Sequence, residues 1–258
     1  MQGTFIWYEL MTTDMAAAAD FYTRVVGWTA KDSGMPGMSY TIFDVPGFEM
    51  GVAGMMALTQ EMRDQKIPPN WSGYVAVDDV DAKAKEFADN GGVVHRAPED
   101  IPGIGRFAVV ADPHGAVINL FKPNMPEGPM PPEPQMGTPG TFGWRELMAG
   151  NGEEAFDFYS RMFGWEKDMA VDMDAMGIYQ TFKVDGVGLG GMMTKTPDMP
   201  VAFWGYYINV EAIDAAAERV KAGGGQIING PMEVPGGSWI VNCIDPQGAH
   251  FSLVAPKR

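Results

Sequence analysis

The 258-residue sequence predicts an α+β fold in tandem copies, and three observations carry that reading. The first is an internal duplication: GTFIWYELMTTDMAAAADFYTRVVGW from Gly3 returns as GTFGWRELMAGNGEEAFDFYSRMFGW from Gly140, an offset of 137 residues. The second is strict alternation in the opening strand beside a helix-prone run. The third is the order of elements, strand, helix, three strands, performed twice within each copy.

The duplication persists through Trp7/Trp144, Glu9/Glu146, Phe21/Phe158, Tyr22/Tyr159, Trp28/Trp165 and Met55-Met56/Met192-Met193. The offset then becomes 133, pairing Trp71 with Trp204, Asp112-Pro113 with Asp245-Pro246 and Gly115 with Gly248. Residues 1–122 therefore form the first domain and 140–258 the second. Between them, PNMPEGPMPPEPQMGTP (123–139) reads as a linker, since such a proline-rich segment favours extended polyproline II at roughly 3 Å per residue.

In residues 4–10 Phe5, Trp7 and Glu9 share one face while Ile6, Tyr8 and Leu10 share the other, which predicts a strand. Asp14 stands where an N-cap accepts backbone N–H bonds, ahead of MAAAADFYTRVV, and Asn151 does so in the second copy. The helix is expected to stop near Gly27 or Gly164. Strands follow around SYTIFDV and EMGVAGMM; another begins at Tyr74–Val77, and DDVDAKAKEFADNGG reads as a helix closed by Gly91-Gly92. VVHRA, GRFAVVAD and AVINLFK supply the last three strands of the copy.

Composition narrows the function. A net charge of −15, from 33 acidic and 18 basic residues, opposes binding to nucleic acid or anionic lipid, which needs clustered Lys and Arg. There is no apolar run long enough for a membrane span and no basic-then-apolar opening of a secretory signal. One cysteine, Cys243, excludes an intrachain disulfide and gives no zinc-finger spacing, so a cytoplasmic address and an inert buried thiol are expected.

FYTRVVGW, VDDVDA, NGG and the turn DPHG before AVINLF resemble the vicinal oxygen chelate superfamily, which includes glyoxalase I, extradiol dioxygenases and bleomycin-resistance proteins. The likeness covers both copies and is nearest to two-domain glyoxalase-like proteins with a WxEL-type opening strand. It implies paired βαβββ units whose mixed sheet curls into a cup around a small ligand, with helices outside. It implies a fold, not one reaction. In metal-using members, His, Gln or Glu ligands come from the first and last strands of each unit. Carried onto this sequence, those positions hold Trp7 or Trp144, residues near Ser72 or Gly205, Asn119 or Ser252, and a strand of Gly, Val and Ala before Met55-Met56. With only His95, His114 and His250 in the chain, no cofactor is expected; a divalent metal is the alternative. His114, in its DPHG turn, and His95 are expected in solvent.

The remaining candidates for chemistry are Glu9, Glu146 and His250. Each glutamate shares a face with Trp7 or Trp144, where partial desolvation suits proton transfer, or it simply accepts backbone or tyrosine hydrogen bonds at the strand end. His250 is in phase with Ser252 and faces the second cup, where Val117 stands in the first. Trp7, Trp71, Tyr74, Trp144, Trp204 and Tyr206, with Asn119 and Ser252, are expected to wall the cups, or else to pack in the core. The favoured reading is a metal-free protein binding a small apolar or aromatic molecule, as drug-sequestering relatives do. The alternatives are a glyoxalase-like lyase, isomerase or hydroxylase using Glu/His acid–base chemistry, a metal-dependent lyase or dioxygenase, and a scaffold with closed cups. The expected partner is a small molecule, with the chain a monomer of two paired domains or a homodimer.

Overall fold

The computed structural model describes residues 1–48, 51–124 and 134–258. The middle of the proline-rich linker, and Glu49 and Met50 at the head of the EMGVAGMM strand, lie outside the described residues. The first repeat runs β1 (Phe5–Thr12), α1 (Met15–Val26), β2 (Thr29–Asp32), β3 (Tyr40–Asp44) and β4 (Gly51–Ala57). After the short helix α2 (Gln60–Asp64) come β5 (Asn70–Ala76), α3 (Val80–Asp89), β6 (Val93–Ile101), β7 (Gly105–Ala111) and β8 (Val117–Pro123). The second repeat begins with β9 (Phe142–Ala149), α4 (Gly152–Phe163), β10 (Glu166–Asp172), β11 (Ile178–Val184) and β12 (Val187–Thr194). It ends with β13 (Phe203–Asn209), α5 (Ile213–Ala222), β14 (Gln226–Glu233), β15 (Trp239–Ile244) and β16 (His250–Ala255).

The expected caps are formed. Asp14 Oδ1 accepts from Ala17 N–H at 3.0 Å, and Asn151 Oδ1 from Glu153 and Glu154 N–H. Gly27 and Gly164 take the left-handed conformation that ends α1 and α4, at φ 91° and 74°. Two details differ from expectation. The strand placed at Tyr74 starts four residues earlier, at Asn70. Between β4 and β5 the chain makes α2, capped by Thr59 Oγ1 on Met62 N–H, a turn too short to leave a periodic signature.

Each repeat forms one mixed sheet of eight strands among the described residues. The orders are β2-β3-β4-β1-β5-β8-β7-β6 and β10-β11-β12-β9-β13-β16-β15-β14. β1 pairs parallel with β4, and β5 with β8, as a strand–helix crossover requires. Where β1 begins, Gly3 N–H donates to Ala76 O and Ala76 N–H donates to Thr4 O. No helix among the described residues is long and apolar enough to cross a membrane.

The close-packed units do not follow the repeats. One unit holds Met1–Ile6, the stretch from Ser72 to the end of β8, and Trp144–Gly205; the other holds Trp7–Trp71, the segment ending at Gly143, and Tyr206–Arg258. In the first, Phe87 of α3 meets Phe158 of α4 edge-on at 5.0 Å, and Trp165 Nε1 donates to Gly3 O. In the second, Phe21 of α1 meets Phe251 at 5.7 Å, and Trp28 Nε1 donates to Gly140 O. Gly140 sits at φ 88°, and a Cβ there would fall 2.8 Å from Val45 and 3.2 Å from the Trp28 indole nitrogen, so only glycine permits this approach.

The FY and DPxG motifs meet in these cores. Tyr22 of α1 receives a hydrogen bond from Trp71 Nε1 at 2.8 Å and donates to Asp245 Oδ2 at 3.0 Å. Asp245 Oδ1 in turn accepts from Gln247 and Ala249 N–H, which closes the DPQG turn. In the other unit Trp204 Nε1 donates to Tyr159 OH, and Asp112 Oδ1 accepts from His114 and Ala116 N–H. Burial raises the pKa of both aspartates, and these backbone donors and the tyrosine hydroxyls oppose the rise.

Candidate functional site

Alternation divides β1 from Trp7 onward, whereas Phe5, expected on the face of Trp7 and Glu9, stacks instead on the buried Trp165. Tyr8, Leu10 and Thr12 are buried in the core, while Trp7, Glu9 and Met11 lie half-exposed on the opposite, open face. On that face Trp7 Nε1 donates to Tyr40 OH at 3.0 Å, and Tyr40 OH donates to Glu9 Oε2 at 2.8 Å. The three side chains come from β1 and β3, with β4 between them, so a ring must cross the middle strand. Gly54, the register partner of Glu9, makes this possible: a Cβ there would lie 1.8 Å from the Tyr40 hydroxyl. Burial first, and then the neighbouring Glu9 carboxylate, push the Tyr40 phenol far above the usual tyrosine range. Tyr40 therefore stays protonated and holds the carboxylate and the indole in fixed positions.

The second repeat reproduces the indole–phenol bond and the glycine beneath it. Trp144 Nε1 donates to Tyr179 OH at 2.8 Å, and Glu146 stands opposite Gly191 as Glu9 stands opposite Gly54. A Cβ on Gly191 would fall 2.2 Å from the Tyr179 ring. The two tyrosines escaped the sequence reading because Tyr40 and Tyr179 are 139 residues apart, not 137. The repeat slips by two residues in the β2–β3 and β10–β11 connections and recovers by Gly51 and Gly188.

The other residues singled out from the sequence divide between open face and core. Trp71, Trp204 and Tyr206 do not wall an open face; they are 5%, 6% and 2% exposed and pack in the cores. The indoles are fixed by Tyr22 and Tyr159, and Tyr206 stands edge-on to Tyr8 at 5.4 Å. The strand period decides this, because in β13 Tyr207, not Tyr206, is the register partner of Ser252, as Tyr74 is of Asn119. Tyr74 lies edge-on to Phe121, and Asn119 Nδ2 donates to Ser72 Oγ at 2.6 Å. His250 is exposed at the start of β16, two residues from Ser252 and so in phase with it. His95 is exposed as expected. His114 is not simply solvated: its Nε2 lies 3.2 Å from Glu154 Oε2, and its ring packs over Gly150.

A divalent metal of the kind these strand positions hold elsewhere does not fit the residues present. An indole N–H on Trp7 or Trp144 is a donor, not a ligand. Gly54 and Gly191 offer no side chain, and a tyrosine ring covers each. Asn119 turns its amide nitrogen to Ser72. Among the described residues no three His, Cys, Asp or Glu gather into a candidate metal cluster.

The model of the Glyoxalase/Bleomycin resistance protein/Dioxygenase superfamily matches residues 4–120 and again 141–253. The chain belongs to that superfamily. CFP32 of Mycobacterium tuberculosis, provisionally named a glyoxylase, is 32% identical over 257 residues, covering 99% of this chain and 95% of that protein. The anthracycline biosynthesis protein DnrV of Streptomyces peucetius is 34% identical over 266 residues, covering 98% and 93%. Among solved structures, the Mn(II)-bound glyoxalase from Novosphingobium aromaticivorans superposes with a TM-score of 0.67 at 16% identity, covering 99% of this chain and 83% of that one. The 2,3-dioxygenase LapB from Pseudomonas sp. KL28 superposes at 0.66 and 13% identity, covering 99% and 93%. These superfamily structures share the fold, a tandem of βαβββ pairs.

Proposed function

We propose that this superfamily member binds a small, flat, largely apolar molecule on the open faces of its sheets, and does so without a divalent metal. The observation that carries the reading is the Trp7–Tyr40–Glu9 chain. It places an indole where a ligand side chain would stand and ties the nearest carboxylate to a phenol. A hydrogen bond that anchors an indole by its edge leaves the ring as a preorganised stacking surface, and preorganisation lowers the entropic cost of binding. The relative named for anthracycline biosynthesis agrees with a planar, fused-ring ligand.

Titration calorimetry with 1-naphthol tests this. Wild-type protein should bind it, and Trp7→Leu with Trp144→Leu should weaken binding about tenfold. Stoichiometric Mn, Ni, Zn or Fe in untagged protein, lost together with ligand binding on chelation, would overturn the metal-free reading.

A second reading is favoured by the 2.8 Å contact between Tyr40 and Glu9. A carboxylate held in place by a phenol that keeps its own proton can act as a positioned base, so Glu9 suits an acid–base lyase or isomerase. Full activity of Glu9→Gln and Glu146→Gln variants on an identified substrate would eliminate it.

A further inference from the structure

The last βαβββ unit carries a feature with no counterpart in the first repeat. Four side chains stand in one straight row across β13, β16, β15 and β14, with Tyr207 opposite Ser252, Ser252 opposite Asn242, and Asn242 opposite Asn229. They are joined along the row. Asn242 Nδ2 donates to Tyr207 OH at 3.1 Å and to Ser252 Oγ at 2.9 Å, and Asn229 Nδ2 donates to Asn242 Oδ1 at 3.2 Å. The matching row of the first repeat reads Tyr74, Asn119, Val109, Arg96. There Asn119 turns to Ser72, Val109 interrupts the row, and Arg96 lies over the Phe107 ring.

Hydrogen-bond accounting shows what the row lacks. Asn242 spends both amide hydrogens on its neighbours and accepts one on its oxygen. Ser252, only 7% exposed, accepts from Asn242, and among the described residues its own O–H meets no acceptor. Ser252 Oγ is thus held as an acceptor by Asn242, and its rotatable O–H is a donor that an acceptor atom on a ligand could take. The flanking rows hold Asn209, Val254, Ile240 and Met232 on one side and His250, Ile244 and Gln226 on the other, with no carboxylate, Lys or Arg among them. No Lys or Arg stands in the row to balance an anion, and the chain as a whole is at −15.

We propose that this row is a recognition site for an uncharged molecule that presents a carbonyl oxygen from an apolar ring. It rests on the reading that the open faces receive small molecules, but it concerns different residues and a different chemistry. The two repeats thus offer different surfaces: an aromatic one at Trp7 and Trp144, and a neutral hydrogen-bonding one only in the last unit.

The test uses benzamide labelled with carbon-13 at the carbonyl, with toluene as the control lacking the acceptor. On the full chain, the carbonyl resonance should shift on binding, and Asn242→Val and Ser252→Ala should each weaken benzamide about fivefold while leaving toluene unchanged. Valine occupies the equivalent position, Val109, in the first repeat's sheet, which makes Asn242→Val a strand-compatible replacement. Ser252→Ala removes one oxygen and gives a second, milder variant; circular dichroism checks both folds. Unchanged benzamide affinity in both variants, or no carbonyl shift at millimolar benzamide, overturns the proposal. If benzamide binding instead falls only in Trp7→Leu, this inference fails while the reading built on 1-naphthol stands.

Discussion

Tyr22 donates its hydroxyl proton to Asp245, a residue 223 positions further along the chain, across 3.0 Å of buried space. The helix motif of one repeat thus completes the turn motif of the other. Removing the hydroxyl in Tyr22→Phe leaves a buried carboxylate oxygen and the Trp71 indole N–H without their shared partner. The expected cost is about 1–3 kcal/mol, read as a lower urea midpoint with an unchanged slope. A variant as stable as wild type would show that the contact contributes nothing.

Asp112 and Asp245 give the protein a pH signature opposite to that of a salt-bridged carboxylate. Burial raises both above the unfolded value of 3.8, so the folded chain holds these protons more tightly than the unfolded chain. Their contribution to stability is therefore greatest at low pH and falls as pH rises through the folded values. Relative to wild type, Asp245→Asn should gain stability as pH rises above 3.8, measured as the difference in urea midpoints. A difference that is flat, or that runs the other way, refutes the assignment.

Gly54 is held small by Tyr40. In Gly54→Ala the new methyl would meet the phenol, which must swing away and break the chain from Trp7 to Glu9. A loss of about 1–3 kcal/mol in stability is expected, along with weaker 1-naphthol binding by calorimetry. Gly191→Ala should repeat the effect at Tyr179. Retained binding in both would mean that the tyrosines do not order the indoles.

Cys243 is fully buried, and burial alone pushes its thiol up to about 12. The native protein should therefore resist Ellman's reagent at neutral pH, with labelling tracking unfolding in urea. Rapid labelling without unfolding would place the thiol elsewhere.

The duplication made most of this architecture legible. Caps at Asp14 and Asn151, glycine stops at Gly27 and Gly164, and strand alternation around Trp7 and Glu9 are local signals, and each appears in the structure where the sequence placed it. What the sequence withheld was long-range. Trp71 and Trp204 head strands whose inward face cannot be told from so short a run, and Tyr206-Tyr207 are adjacent tyrosines that only register separates. The Tyr40 and Tyr179 links were hidden by a two-residue slip. The partner of Tyr22 was undecidable for a simpler reason: both copies carry the same turn, so Asp112 and Asp245 are equivalent on paper.

Because each close-packed unit draws one half from each repeat, neither repeat encodes a complete interior by itself. A polypeptide ending after β8 would expose the faces of α1 and α3 that α5 and α4 now cover, and could bury them only against a second molecule of its own kind. Joining the copies in one chain fixes that partnership at a ratio of one to one and frees each copy to change its sequence separately. The asparagine row of the last unit, set against Val109 in the first repeat, is what such freedom leaves behind.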